Sequence, residues 1–175
     1  MKNILIVYST TDGHTIKICH ELQSVIEKSS HKVSLLSITD DSNLDLTEFD
    51  NIVVGASIRY GKHNKNVSHF VQKNKAILNT KTTAFFSVNV VARKPDKNHP
   101  DTNPYLRKFL DSEQWEPSEV AVFAGKIDYQ KYRFIDRQMI RFIMYITKGP
   151  TDVNAVYEFT NWDKVREFGT IISEM

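Results

Sequence analysis

A hydroxyl-rich turn near the start of the chain has the composition of an anion-binding loop. The turn covers residues 9–15, with the sequence STTDGHT, and lies between an apolar run at 3–8 and a helical pattern that begins at residue 14. In a strand-turn-helix unit, backbone N–H groups and the positive end of the helix dipole point at the same position. The turn therefore predicts a bound phosphate group.

The type of phosphate is limited by what the turn lacks. It has no lysine, as a nucleoside-triphosphatase loop has, and it has one glycine where a dinucleotide-binding turn has three. A monophosphate cofactor fits these residues better than a triphosphate or a dinucleotide. Flavin mononucleotide (FMN) is the commonest cofactor held in this way, and we expect it here.

Strand-like and helical patterns alternate along the chain. The strands are predicted near residues 3–8, 32–37, 51–56, 82–88 and 119–125. The helices are predicted near residues 14–28, 65–79, 102–112 and 161–173. This alternation predicts an α/β fold, with a doubly wound, five-stranded parallel sheet and helices on both faces.

Three loops follow strands of the predicted sheet, at the edge where ligands bind in such folds. They are residues 9–15, 57–62 and 87–95. The second contains one aromatic side chain, Tyr60, and two cations, and the third contains Asn89 and two more cations. A planar heteroaromatic ring would fit between the second and third loops. Each loop alone is also compatible with a solvated surface, but their common position favours a binding site.

Composition describes an ordinary globular chain with an uneven charge distribution. The 175 residues carry a formal net charge of +2 and 41% hydrophobic residues, and by length they form one domain. The one cysteine, Cys19, lies on the apolar side of the first predicted helix, so we expect a buried thiol and a reducing, cytoplasmic location. Residues 126–148 hold six basic and two acidic side chains.

This basic segment also has the pattern of an amphipathic helix. Three arginines recur at the spacing of one helical stripe, and five apolar side chains fall on the other side of the helix. They are Arg133, Arg137 and Arg141, against Ile135, Met139, Phe142, Ile143 and Ile146. Such a helix would lie on an anionic membrane surface. The alternative is that its apolar side packs on the domain or on a second subunit.

Taken together, these motifs resemble the flavodoxin-fold family, and in particular its menaquinone-dependent protoporphyrinogen IX dehydrogenases of Gram-negative bacteria. The resemblance covers essentially the whole chain. Its most specific motifs are STTDGHT at 9–15, GASIRYG at 55–61 and FSVNVVARKP at 86–95. YRFIDR at 132–137, MI at 139–140 and TNW at 160–162 add to it. The first motif alone would indicate only a flavodoxin-like protein.

The resemblance implies a fold and a cofactor site. The fold would be one flavodoxin-like domain over residues 1–175, of the long-chain type, with an insertion at 126–155 in the fifth strand. FMN would bind noncovalently, with its phosphate on the first loop and its ring on the other two. The implied cofactor-binding residues are Ser9, Thr10, Thr11, Asp12, Gly13, His14, Thr15, Ser57, Ile58, Arg59, Tyr60, Gly61, Ser87, Val88, Asn89, Val90, Val91, Ala92 and Arg93.

The implied activity is oxidation of protoporphyrinogen IX to protoporphyrin IX in haem biosynthesis, with menaquinone or ubiquinone as acceptor. The protein would be cytoplasmic and peripheral on the inner membrane through residues 126–148, and it could form a homo-oligomer. From position and charge, we expect Arg59, Lys62, Arg93 and Lys94 to pair with the substrate carboxylates. We assign no catalytic base and no metal site, because the three histidines nearest these loops are expected to be solvated or capping: His14, His63 and His99.

Two features depart from an ordinary flavodoxin. Asp12 stands where threonine is usual, so its carboxylate must turn away from the phosphate and cap the helix or meet a cation. The loop 87–95 has no aromatic side chain, which would leave one face of the flavin open to a substrate, unless Val90 or Val91 covers it.

Other functions remain as alternatives. Another flavin-dependent quinone or azo reductase would use the same fold, and an electron-carrier flavodoxin is disfavoured by the basic charge. A phosphoacceptor receiver domain would need acidic residues where Tyr8-Ser9 and Gly55-Ala56 stand. A nucleic-acid role has little support, because no aromatic stacking platform accompanies the basic residues.

Overall fold

The structure is a computed structural model that describes residues 1–40 and 44–175. Its strands are β1 (Asn3–Ser9), β2 (Lys32–Ser37), β3 (Asn51–Arg59), β4 (Lys62–His63), β5 (Thr82–Val88), β6 (Glu119–Phe123), β7 (Lys126–Asp128) and β8 (Val156–Glu158). Its helices are α1 (His14–Lys28), α2 (Lys65–Lys73), α3 (Lys75–Leu78), α4 (Pro104–Glu113), α5 (Phe134–Ile146) and α6 (Trp162–Glu174).

Five of the strands form a parallel sheet in the order β2-β1-β3-β5-β6. The chain builds outward from β1 to β2 in one direction and then from β3 to β6 in the other. The order therefore reverses between β1 and β3, and the loops after these two strands diverge around a crevice at their carboxyl ends. The two-residue β4 pairs antiparallel with the end of β3, beyond the main sheet. The predicted doubly wound α/β fold is confirmed.

Alternate residues of each central strand enter opposite cores, as the two-residue period of a strand requires. In β1, Ile4 and Ile6 face the layer of α1 and α6, while Leu5 and Val7 face the layer of α2 and α4. Cys19 is fully buried in the first layer, as predicted, and burial raises the pKa of its thiol far above the usual range. With both faces covered, the sheet is a rigid support for the loops at its edge.

Several element boundaries differ from the sequence pattern. The helix predicted over 65–79 is two helices, because the chain departs from helical geometry at Asn74, whose side chain donates to the Phe70 carbonyl. The loop at 89–101 contains two short 3-10 turns, Val90–Arg93 and Pro95–Lys97. The last strand of the parallel sheet ends at Phe123, and β7 and β8 form a separate antiparallel pair that brackets residues 129–155.

The segment between β7 and β8 has a small core of its own, on which α5 lies. Met144 is buried there against three aromatic or aliphatic side chains, Ile127, Tyr129 and Tyr132. The Tyr129 hydroxyl donates to the Pro150 carbonyl at 2.7 Å, which ties the ends of the segment together. Within the described residues, the helices are all too short or too polar to cross a membrane.

Candidate functional site

A cavity of about 640 Å³ opens at the carboxyl edge of the sheet. Its floor and walls come from the loops that follow β1, β3 and β5, and its roof comes from α5. The loop residues are Thr10, Thr11, Asp12, His14, Thr15, Ser57, Ile58, Arg59, Tyr60, Gly61, Val88, Asn89, Val90, Val91 and Arg93. The roof residues are Met139, Ile140, Ile143, Met144 and Thr147.

The first loop has the backbone of an anion site. Gly13 caps α1 with a φ of +78°, a left-handed conformation that glycine adopts without steric cost, and its N–H donates to the Thr10 hydroxyl at 3.1 Å. The first-turn residue Thr15 is 1% exposed, and its hydroxyl oxygen is buried without a hydrogen-bond partner in the described residues. A buried, unpaired hydroxyl is costly, and a phosphate oxygen at the helix N-terminus would satisfy it.

His14 is held neutral beside this loop. The Thr160 hydroxyl donates its one proton to the Ala124 carbonyl at 2.7 Å, so in the 2.6 Å bond between His14 and Thr160 the proton belongs to His14 Nε2. Burial lowers the pKa of the imidazole from its ordinary value. The expectation of a solvated or capping histidine is therefore wrong for His14, because Thr160 and Trp162 lie against its ring.

The Asp12 carboxylate, which belongs to the first loop, pairs with a cation. Both of its carboxylate oxygens accept from Arg59 Nη1, at 2.9 and 3.2 Å. The same guanidinium donates through Nη2 to Asp136 in α5, at 3.3 Å, and lies 5.0 Å from the centre of the Tyr132 ring. One arginine thus links the phosphate loop, the loop after β3 and the roof.

Tyr60 occupies a tight turn between β3 and β4. It and Gly61 have φ values of +51° and +73°, and the flanking residues Arg59 and Lys62 are paired, which is the geometry of a two-residue hairpin. A positive φ is unfavourable for a tyrosine, and the hydroxyl is held by a hydrogen bond to Asp136. The turn presents the ring, 61% exposed, at the mouth of the cavity.

The turn after β5 rests on a buried polar network. The Asn89 side chain accepts from the Ala92 N–H at 3.0 Å and from Asn103 at 3.1 Å, and it donates to the Ser87 hydroxyl at 3.2 Å. Ser87 also bonds His63 Nε2 at 3.0 Å. Ser87 is therefore a support beneath the floor and does not line the cavity.

His63 corrects a second expectation. It was expected to be solvated or capping, but it packs against the Phe85 and Phe109 rings, with centroids 5.6 and 4.7 Å away. Burial lowers its pKa to about 4, so it is neutral at physiological pH. The two-residue strand β4 that places it there is too short to be recognised in a sequence pattern.

The Arg93 side chain is hydrogen-bonded to the C-terminal end of α5. Its Nη2 donates to the Thr147 hydroxyl and carbonyl at 2.7 and 3.2 Å, and its Nη1 donates to the Val90 carbonyl at 3.2 Å. Burial lowers the pKa of the guanidinium, because partial enclosure disfavours the charged form. Arg93 thus fastens the turn after β5 to the C-terminal end of α5.

The cavity collects most of the predicted site residues and adds others. Four of the predicted cofactor-binding residues do not line it: Ser9, Gly13, Ser87 and Ala92. Lys62, predicted to meet the substrate, is exposed outside it, whereas Lys94 lines it. The residues that sequence reasoning missed, besides the roof, are Lys97, Pro104, Tyr105, Gly125, Lys126, Ile127 and Tyr132. Three of them, Gly125–Ile127, come just after the last strand of the parallel sheet. Because ligands bind at the carboxyl ends of such strands, their position in the sequence could have indicated them.

The residues present fit FMN. The volume of about 640 Å³ is within the range for a ligand of this size, the first loop offers hydroxyl and N–H donors, and Thr15 has an unpaired buried oxygen at the helix start. Asp12 is paired with Arg59, which reduces its repulsion of a phosphate. Tyr60, Val90 and Val91 line the same cavity and offer aromatic and aliphatic surface to a planar ring.

Comparison with known proteins gives a consistent result. The family model described as "Flavodoxin domain" matches residues 5–154. The chain is 39% identical over 171 residues to the protoporphyrinogen IX dehydrogenase (quinone) of Escherichia coli K12, covering 98% of this chain and 94% of that protein. It is 40% identical over 167 residues to the protein of the same name from Leishmania major, covering 95% and 72% of the two chains.

Solved flavodoxins share the fold at low identity. A flavodoxin from the domain Archaea aligns with a TM-score of 0.54 and 17% identity, covering 98% of this chain and 96% of that one. Oxidised Flavodoxin 1 from Bacillus cereus aligns with a TM-score of 0.57 and 15% identity, covering 98% and 97%. These two likenesses concern the fold alone.

Replacing Thr15 by valine should separate cofactor binding from stability. The two side chains have nearly the same shape, but valine has no hydroxyl. Without cofactor, the free energy of unfolding should rise by about 1 kcal/mol, because an unpaired buried oxygen is removed. The dissociation constant of FMN should rise about tenfold or more, because a hydrogen bond to a charged group is lost. Denaturant unfolding and flavin fluorescence titration measure the two effects.

Riboflavin is the matched control for this variant, since it lacks only the phosphate. Its affinity should be the same for Thr15→Val and the unchanged protein. An equal loss of affinity for both flavins would mean that Thr15 supports the loop and does not contact the phosphate.

Proposed function

This chain belongs to the flavodoxin family, and from that premise we propose that it is an FMN-dependent protoporphyrinogen IX dehydrogenase that uses a quinone as electron acceptor. The observation that carries this proposal is the similarity, over nearly the full length, to dehydrogenases of that name. The overall reaction removes six electrons and six protons from the macrocycle. Three quinones take them up and become three quinols.

Bound FMN supplies a two-electron acceptor that is reoxidised in each of three cycles. The contribution of the protein is then binding, orientation and exclusion of water. The first loop, with Thr15 and the N-terminus of α1, would hold the phosphate. Tyr60 and the turn at Val90–Arg93 would hold the ring, and the apolar side chains of α5 that line the cavity would shield it from solvent.

No side chain is assigned as a general base. The protonated nitrogen of His14 is engaged with Thr160, and His63 lies beneath the floor of the cavity.

The activity is tested directly with the FMN-reconstituted protein under nitrogen. Protoporphyrin fluorescence should grow from protoporphyrinogen IX when menadione is added, and it should stay at the background rate without a quinone. A protein that binds FMN but gives no quinone-dependent fluorescence would contradict the proposal and favour another flavodoxin-like quinone reductase or an electron carrier.

The substrate carboxylates are proposed to meet cations at the rim of the cavity. Four residues were predicted from sequence, and the structure distinguishes among them. Arg59 is paired with two carboxylates, Arg93 is bound to the roof, and Lys62 lies outside the cavity. Lys94 lines the cavity with no side-chain partner among the described residues, and Lys97 lines it nearby in the same way. We therefore place the carboxylate contacts at these two lysines.

The double variant Lys94→Gln, Lys97→Gln should raise KM for protoporphyrinogen IX about fivefold, because exposed ion pairs contribute up to about 1 kcal/mol. KM for the dimethyl ester of the substrate should not change, since its carboxylates are masked. The charge-matched control is Lys62→Gln, Lys131→Gln, two lysines outside the cavity. Equal KM ratios of acid to ester in all three proteins would exclude a carboxylate contact at Lys94 and Lys97.

We also propose that α5 makes a peripheral contact with an anionic membrane. One face of α5 packs on the domain through Ile140 and Met144, but the opposite face is apolar and exposed. The exposed side chains are Phe134 (67%), Ile135 (74%), Phe142 (63%), Tyr145 (75%) and Ile146 (61%). Arg133 and Arg141 are also exposed, at the edge of this face. Exposed apolar groups beside exposed cations match the interface of an anionic bilayer, where quinones also partition.

The double variant Phe142→Asp, Ile146→Asp should reduce binding to anionic vesicles at least tenfold in a co-sedimentation assay. Two exposed apolar side chains that would enter the bilayer interface are removed, and two negative charges that anionic lipids repel are added. FMN binding should be unchanged, because neither residue lines the cavity. Val156→Asp is the control, since Val156 is a half-exposed apolar residue on β8. If the double variant instead splits a dimer and leaves vesicle binding intact, α5 is a subunit interface.

A further inference from the structure

One cation beside the phosphate loop has no partner. Lys126 is the first residue of β7, half-buried, and it lines the cavity together with Thr10, Thr11 and Thr15. Its side chain forms no ion pair or hydrogen bond with any residue that the structure describes. Partly burying an ammonium group without a partner is unfavourable, so a lysine in this position calls for an anion.

The register of the hairpin places Lys126 next to the first turns of α1. Lys126 is the cross-strand partner of Glu158, so the two side chains lie on the same face of the β7–β8 pair. Glu158 accepts from Lys17 in α1 at 3.2 Å and from Trp162 Nε1 at 2.7 Å. Two residues further on, Thr160 bonds His14, the first residue of α1, at 2.6 Å.

Electrostatics agree with this placement. Burial is the main cause that lowers the pKa of His14; Glu158 opposes it, and the positive charges of Lys17 and Lys126 add to it. Lys126 is thus close enough to the start of α1 for its charge to be felt there.

The charges around the first loop show which side chain is available to balance a bound phosphate. A phosphate monoester carries about −1.5 to −2 charges at neutral pH. Among the described side chains near the loop, Arg59 is shared by Asp12 and Asp136, Lys17 is paired with Glu158, and His14 is neutral. Lys126 is the cation that remains available on this side of the cavity.

We propose that Lys126 is a phosphate-binding residue, whose ammonium group donates a charge-assisted hydrogen bond to the phosphate of the bound flavin. The proposal rests on FMN as the cofactor and not on the porphyrinogen reaction. It has a structural consequence, because Lys126 begins the segment that carries α5. Through this lysine, the phosphate fastens the base of the roof segment to the first loop.

The test compares FMN with riboflavin by fluorescence titration of the apoprotein, without any porphyrinogen. In Lys126→Met, the dissociation constant of FMN should rise about tenfold while that of riboflavin stays the same, because only the phosphate contact is lost. Lys126→Arg should restore most of the affinity for FMN. Lys131→Met is the control: Lys131 lies five residues further on, is exposed, and is absent from the cavity lining.

Salt dependence provides a second measurement on the unchanged protein. Raising the salt concentration from about 0.05 M to about 0.5 M should weaken FMN binding more than riboflavin binding, and this difference should shrink in Lys126→Met. An unchanged ratio of FMN to riboflavin affinity in Lys126→Met would overturn the proposal. The proposal would also be overturned if Lys17→Met, and not Lys126→Met, lost the preference for FMN over riboflavin, since Lys17 would then be the cation that binds the phosphate. Neither result bears on the proposed porphyrinogen reaction, which the fluorescence assay tests separately.

Discussion

The pairing of Arg59 with two carboxylates is the interaction on which the arrangement of the site depends. Asp12 belongs to the phosphate loop and Asp136 belongs to α5, and both bind the same guanidinium. Without Arg59, Asp12 would face an incoming phosphate unneutralised, and α5 would lose its attachment at the Asp136 end. The pair is partly exposed, so its contribution to the free energy of unfolding is small. Its importance lies in position, because it fixes three separate pieces of chain around one cavity.

The roof has a second attachment, between Arg93 and Thr147. With polar contacts at both ends, α5 stays in place although it is apolar both on its packed face and on its exposed face. At one end Asp136 binds Arg59 and Tyr60, and at the other Thr147 binds Arg93. Met144 alone in α5 is fully buried, so packing by itself would hold this helix weakly. Because polar contacts fix both ends, the outward side chains are free to remain apolar and exposed.

The sequence predicted those parts of the site that depend on the sheet. Loops after parallel strands must meet at one edge, and most residues of the predicted loops 9–15, 57–62 and 87–95 do line one cavity. The need of Asp12 for a cation followed from charge alone, but its partner did not, because Arg59 meets it only in three dimensions. The helix of the roof was predicted, with packing on the domain as one alternative, but its packing face was not: α5 is apolar on two faces, and a helical pattern cannot tell which face packs. The position of His63 depends on a two-residue strand, and the position of Lys126 depends on the register of the β7–β8 hairpin. Neither feature produces a periodic pattern in the sequence.

The size of the cavity constrains where the macrocycle can lie. About 640 Å³ is the volume that one cofactor-sized ligand occupies, whereas a flavin and a tetrapyrrole are two such ligands. A flavin with its phosphate at Thr15 and its ring at Val90, as proposed, would take up the interior of this cavity. The tetrapyrrole would then approach at the mouth, where Tyr60 is exposed, and near Lys94, which also lines the cavity. The exposed apolar face of α5 lies on the outer side of the roof over that cavity. If α5 contacts a bilayer as proposed, an apolar macrocycle or quinone delivered from it would reach the flavin by passing the edge of α5.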